Sequence, residues 1–107
     1  MNVGTLILII RSTPNDIDKN SILSRRISRV NDLDWADLAD IIECYSSDYS
    51  KIKAITIFIS TRTNDVKFQP DKQTLTSILD SISNDDHKNT ALKHIQSIKS
   101  YPNMLPK

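Results

Sequence analysis

Two apolar runs, at residues 3–11 and 52–60, are the strongest hydrophobic signals in the chain. The first, VGTLILIIR, is nearly continuous, and the second, IKAITIFIS, places isoleucine at alternate positions. Short β-branched runs of this kind are typical of strands buried on both faces. The sequence therefore predicts two buried strands, and the alternating segment 66–69 before Pro70 predicts a third that returns as a hairpin.

Three other segments have the spacing of amphipathic helices. Residues 19–30 predict a helix with an apolar face formed by Ile22, Leu23, Ile27 and Val30. Pro70 and Asp71 open a second helix, whose inward residues at i, i+3, i+4 and i+7 are Leu75, Ile78, Leu79 and Ile82. Residues 86–100 predict a last helix with Ala91, Leu92, Ile95 and Ile98 inward.

Residues 31–50 form an acidic stretch with six acids, no base, and the only Trp and Cys of the chain. Asp32 or Asp34 can cap a helix here, because a short carboxylate accepts free backbone N–H groups. One face of this helix is apolar and contains Trp35, Leu38, Ile41, Ile42 and Tyr45. The opposite face contains Asp37, Asp40, Glu43 and Cys44. It is either an ordinary solvated face or a patch that meets a basic partner.

These elements predict a single α+β domain over residues 1–107. A two- to three-stranded sheet would pack with about four helices in the order β-α-α-β-(β)-α-α. We find no internal repeat in the pattern. A strand followed by two helices is similar to barstar-type ribonuclease inhibitors, although no residue motif supports membership of that family.

Composition excludes several classes of protein. Fourteen basic and thirteen acidic residues give a net charge of +1, so the overall charge gives no argument for nucleic acid or a membrane surface as the partner. Cys44 has no second cysteine to pair with, so the fold does not need an oxidising compartment. The run at 3–11 is too short to span a membrane, and no signal peptide is evident. We therefore expect a cytoplasmic protein, and we predict no oligomeric state.

No residue pattern indicates catalysis, a metal site or a cofactor. His87 and His94 would lie about 10 Å apart on one helix, too far apart to share one metal ion. Gly4 is the only glycine, which excludes glycine-rich phosphate-binding loops. A ribonuclease that uses Arg62 or Arg25 with His87 is a minor alternative.

The first functional hypothesis is a small non-enzymatic inhibitor of the bacterial immunity or antitoxin type. Its partner would be a cognate toxin with a basic surface, such as a nuclease, because complementary charge speeds association. An abundance of Lys, Asn, Ile, Ser and Asp suggests an AT-rich, mobile gene. The predicted contact residues are Asp37, Asp40, Glu43, Asp48 and Tyr49.

The alternative hypothesis is a regulator associated with nucleic acid. Its basic helix would contribute Arg25, Arg26 and Arg29, supported by Lys51, Lys53 and Arg62. Binding of this kind would weaken steeply with salt, because phosphate contacts release counterions.

Overall fold

All regular secondary structure in the part of the chain that the structure describes is helical. The computed structural model describes residues 2–30, 32–61 and 69–97, and these contain helices and no strand. The helices are α1 (Val3–Ser12), α2 (Asp16–Arg26), α3 (Trp35–Ile42), α4 (Asp48–Thr61), α5 (Lys72–Asp80) and α6 (Asp85–Gln96), and a 3-10 turn, Ile27–Arg29, follows α2. The prediction of an α+β fold with a sheet is therefore wrong.

The first predicted strand, residues 3–11, is helix α1. Asn2 caps it, because the Asn2 Oδ1 accepts the Thr5 N–H at 2.8 Å. The residues that pack on the core lie at i, i+3, i+4 and i+7 and are Val3, Leu6, Ile7 and Ile10. Because the apolar run is nearly continuous, this helical spacing is not evident from the sequence. Leu8 points away from the core and is 66% exposed.

The second predicted strand, residues 52–60, lies within helix α4. Ser47 caps this helix, because its Oγ accepts the Ser50 N–H at 3.1 Å. Ala54, Ile55 and Phe58 are fully buried, and their spacing puts them on one side of a helix rather than on both faces of a strand. Residues 66–68 of the third predicted strand lie outside the described residues, and Gln69 belongs to neither a helix nor a strand.

The remaining predicted helices are confirmed with shifted ends. The helix predicted at 19–30 is α2, which begins earlier, together with the 3-10 turn. Asp34 caps α3 and Asp71 caps α5, each by accepting a backbone N–H from the third residue of its helix. The last helix ends at Gln96 and is capped by Asn84.

The six helices form three helical hairpins arranged in two layers. Each hairpin packs a first helix (α1, α3 or α5) against a second helix (α2, α4 or α6). Between hairpins, α1 packs on α3 and α3 on α5, while α2 packs on α4 and α4 on α6. Among the described residues, the first and third hairpins do not touch. This is the arrangement of a helical-repeat array, in which each unit contacts its neighbours only. The expectation of no internal repeat is therefore wrong.

One continuous core joins the hairpins, because all six helices contribute buried side chains to it. Helix α4 is central and packs on α2, α3 and α6. The rings of Trp35 and Phe58 meet edge to face between α3 and α4, with centroids 4.8 Å apart. The similarity to barstar-type inhibitors required a strand before the first two helices, and that strand does not exist.

Candidate functional site

Two aspartates at equivalent positions join each hairpin to the next. Asp16 is the first residue of α2, and its carboxylate accepts the N–H groups of Ser46 and Ser47 at 2.9–3.0 Å. Asp48 is the first residue of α4, and its carboxylate accepts the N–H groups of Ser83 and Asn84 at 3.0 Å. Each carboxylate thus binds the turn that precedes the second helix of the following hairpin.

These bonds keep both carboxylates ionised. The N–H of Ser83 and then the ring of His87, whose Nδ1 lies 3.0 Å from the Asp48 Oδ2, lower the pKa of Asp48 to about 2. Burial opposes ionisation of Asp16, but the hydrogen bonds from Ser46 and Ser47 outweigh it and lower the pKa of Asp16. The Asp48 side chain is only 12% exposed, so this predicted contact residue is engaged inside the fold.

Two buried lysines stabilise helix C-termini. The Lys19 Nζ donates to the backbone oxygens of Ile10, at 3.1 Å, and Thr13, at the end of α1. The Lys51 Nζ donates to the backbone oxygen of Ser81, the residue that caps the end of α5. An ammonium group at this position satisfies free carbonyls and complements the negative end of the helix dipole. Lys51, predicted as a nucleic-acid contact, is only 9% exposed and has this structural role.

The two aspartates and the two lysines belong to a pattern that is visible in the sequence. The pattern Asn or Ser, then Asp, two residues and Lys occurs at 15–19, 47–51 and 84–88, at the start of each second helix. Recurrence at intervals of roughly 30–40 residues is the mark of a helical repeat. In the third copy Asp85 is exposed, and no following hairpin lies among the described residues to engage it.

A buried polar network fixes α2 against α4. The Tyr45 hydroxyl donates to the Asn20 Oδ1 at 2.8 Å, and the Asn20 Nδ2 donates to the Ser50 carbonyl at 3.1 Å. Burial raises the pKa of Tyr45, so the phenol stays neutral and serves as a donor. The network forms the inner wall of the groove described next.

A concavity lies between α2 and α4, and we call it the second-layer groove. It encloses about 550 Å³. The lining residues are Ile17, Asn20, Ser21, Ser24, Tyr49, Ser50, Lys53 and Ile57. Ile17 is 80% exposed and Tyr49 is 73% exposed. They are the second residues of α2 and α4, so two successive hairpins present an exposed apolar side chain at the same position.

A shallower depression continues this surface between α4 and α6. It is lined by Tyr49, Ile52, Lys53, Thr56 and His94. Tyr49 and Lys53 line both concavities, and they stand one turn apart on the exposed side of α4. The surface of the second layer is therefore continuous across all three hairpins.

The predicted acidic residues lie elsewhere, on α3 in the first layer. Asp37 takes part in a capping box with Asp34, in which each carboxylate accepts the N–H of the other residue. Burial, together with the carboxylates of Asp34 and Asp40, raises the pKa of Asp37. Asp40 and Glu43 are exposed. The structure thus separates these acids from Tyr49, and none of them lines the two concavities.

The residues of the predicted basic helix are only partly available. Arg25 and Arg29 are exposed, Arg26 is half-buried, and the Arg25 Nε donates to the Ser21 carbonyl at 3.3 Å. Lys53 is exposed and lines the second-layer groove, while Arg62 lies outside the described residues.

The described residues contain no cluster of three or more His, Cys, Asp or Glu side chains that could hold a metal ion. Burial raises the pKa of Cys44, which keeps the thiol protonated and poorly nucleophilic. None of the described helices has the length and apolarity needed to cross a bilayer.

Comparison of the chain with protein-family models, with curated proteins and with solved structures finds no match.

Proposed function

We propose that this protein is a non-enzymatic binding module that neutralises a protein partner by direct contact, as immunity proteins and antitoxins do. The observation that carries the proposal is the pair Ile17 and Tyr49, exposed at equivalent positions on the two sides of the second-layer groove. Repeat arrays bind partners through such extended surfaces, which adjacent units build together.

The two side chains have the properties of interface anchors. Of the three large apolar side chains exposed in the described residues, Ile17 and Tyr49 border the same groove and Leu8 lies on α1. Tyrosine dominates binding energy at many interfaces because it combines a large apolar ring with a polar hydroxyl. A partner that covers both side chains would remove this apolar area from water.

The scaffold around the groove favours binding without rearrangement. The Asp16 carboxylate fixes the turn before α4, and the Tyr45–Asn20–Ser50 network fixes α2 against α4 from below. A surface held in this way loses little conformational entropy when a partner docks. The residues that form these hydrogen bonds thus hold Ile17 and Tyr49 in position.

The test is affinity capture from a lysate of the source cell with the native chain and with the double variant Ile17→Asp plus Tyr49→Asp. The third hairpin already has an aspartate, Asp86, at this position, so the variant is expected to fold. We expect one stoichiometric protein to be captured by the native chain and lost with the variant. Leu8→Asp is the matched control, because it places a charge on another exposed large apolar residue, in the other layer. Equal loss with both variants, or capture of no protein, would contradict the proposal.

A second test addresses the expected basic surface of the partner. The double variant Asp40→Lys plus Glu43→Lys reverses charge at two exposed sites and leaves the Asp34–Asp37 capping box intact. If a basic toxin docks on α3, the association rate should fall and lose much of its salt dependence, as stopped-flow measurements would show. An unchanged rate would assign binding to the second layer alone.

The nucleic-acid alternative stays an untested prediction, and no observation favours it over protein binding. Two of the nearby cations, Lys19 and Lys51, are buried against carbonyl groups. Nuclease treatment of the lysate separates the hypotheses, because a captured protein would survive it and a complex held by RNA or DNA would not.

A further inference from the structure

We infer that the second-layer groove binds an extended segment of the partner in which an apolar residue and an acidic residue stand two positions apart. This inference rests on the proposed function and adds the chemistry of the bound segment. It follows from the spacing of two residues on α4, from the charge in the groove and from the packing of α2 on α4.

The spacing comes from Tyr49 and Lys53. They are four residues apart on α4, which places them about 6 Å apart along the helix axis. Residues i and i+2 of an extended chain are about 6.6 Å apart, with side chains on the same face. An extended segment that runs along α4 can therefore place one side chain between Ile17 and Tyr49 and the next one on that face beside Lys53.

The charge of Lys53 determines which side chain of the bound segment should lie beside it. Among the described residues that line the groove, Lys53 is the only charged one. It is exposed, and its ammonium makes no hydrogen bond or ion pair with any described residue. The other polar lining groups are neutral, namely the Asn20 amide and hydroxyls such as those of Ser21 and Ser24, and such groups suit a peptide backbone. An Asp or Glu carboxylate is the complementary group for such a site.

The close packing of α2 on α4 favours an extended backbone in the bound segment. Packed helices such as α2 and α4 have axes about 8–10 Å apart, whereas a helix with its side chains is about 10–12 Å wide. A partner helix would therefore rest on top of Ile17 and Tyr49 and would not enter between them. An extended chain is narrow enough to enter, and α2 is long enough to contact about five of its residues.

The experiment is selection of displayed random heptapeptides on the purified native chain and on Lys53→Glu. With the native chain we expect enrichment of an apolar residue with Asp or Glu two positions away. With Lys53→Glu we expect Lys or Arg at that second position and the same apolar residue. The best native peptide should bind Lys53→Glu about tenfold more weakly in fluorescence anisotropy. The matched control Lys93→Glu changes an exposed lysine of α6 outside both concavities and should leave binding within about twofold.

Three outcomes would overturn the inference. Peptides selected equally by the native chain and by Lys53→Glu would remove the role of the charge. Enrichment of helical peptides, with apolar residues at i and i+4, would replace the extended segment. Self-association in sedimentation experiments that Tyr49→Asp abolishes would assign the groove to a second copy of the chain. In each case, a protein captured through Ile17 and Tyr49 would leave the proposed function intact, so the two failures are distinguishable.

Discussion

Replacement of Phe58 by alanine is expected to destabilise the fold by about 3–5 kcal/mol, the usual cost of removing a large aromatic side chain from a core. Phe58 is fully buried on α4, the helix that packs on the other two hairpins, and its ring contacts Trp35 edge to face. Domains of this size are commonly stable by about 5–15 kcal/mol, so much of the total would be lost. Urea unfolding followed by circular dichroism at 222 nm measures the change.

The matched control is Leu8→Ala, which truncates a large apolar side chain that is already exposed and should change stability by no more than about 0.5 kcal/mol. A loss below about 1 kcal/mol for Phe58→Ala would contradict the packing around α4.

Thr56→Glu tests whether residues 52–60 form a helix or a strand. Thr56 is exposed on α4 but would be buried in a two-sided strand, so the helix predicts near-neutral stability and the strand predicts severe loss.

The two strand predictions are wrong because hydrophobicity and β-branching do not distinguish a buried strand from a buried helix, whereas spacing and caps do. Residues 3–11 satisfy both a strand pattern and the helical set of Val3, Leu6, Ile7 and Ile10. The flanking Asn2 and Ser47 are good helix caps, and each precedes one of the two apolar runs. Intrinsic β-propensity spans only about 1 kcal/mol, and packing against neighbouring helices overrides it.

The helical array was predictable in part. Three copies of the Asp-x-x-Lys pattern are visible in the sequence, at Asp16, Asp48 and Asp85. The role of the pattern is not visible in the sequence, because Asp16 and Asp48 bind turns that lie 30 to 36 residues further along the chain, and these contacts depend on packing. From the sequence alone, Asp48 is therefore predicted as a surface contact.

The candidate site is also predictable only in part. Tyr49 was predicted as an anchor from its residue type and is exposed beside a groove. Ile17 is not among the predicted contact residues, because the predicted helix begins at residue 19 and Ile17 then lies before it. An isoleucine in a loop has no defined direction, whereas the second residue of α2 points into the groove beside Tyr49.

Replacement of Asp48 by asparagine is expected to destabilise the fold by about 2 kcal/mol at neutral pH. The carboxylate accepts two backbone N–H groups and lies beside His87, and it joins the second hairpin to the third. Hydrogen bonds to a charged group are stronger than those to a neutral amide of the same shape. Urea unfolding of the native chain and of Asp48→Asn at several pH values between 7 and 2.5 gives the difference.

The difference between the two proteins should shrink in acid. The pKa of Asp48 is about 2 in the folded state and near 3.8 in the unfolded chain, so ionisation stabilises the fold above pH 4. As the pH falls from 4 towards 2 the native carboxylate gains a proton, and its advantage over asparagine disappears. Asp85→Asn is the control, because Asp85 occupies the same position in the third hairpin but is exposed, and it should cost no more than about 0.5 kcal/mol. An equal cost for Asp48→Asn and Asp85→Asn would show that Asp48 serves its own helix and not the following hairpin, and the contact between the second and third hairpins would then depend on apolar packing alone.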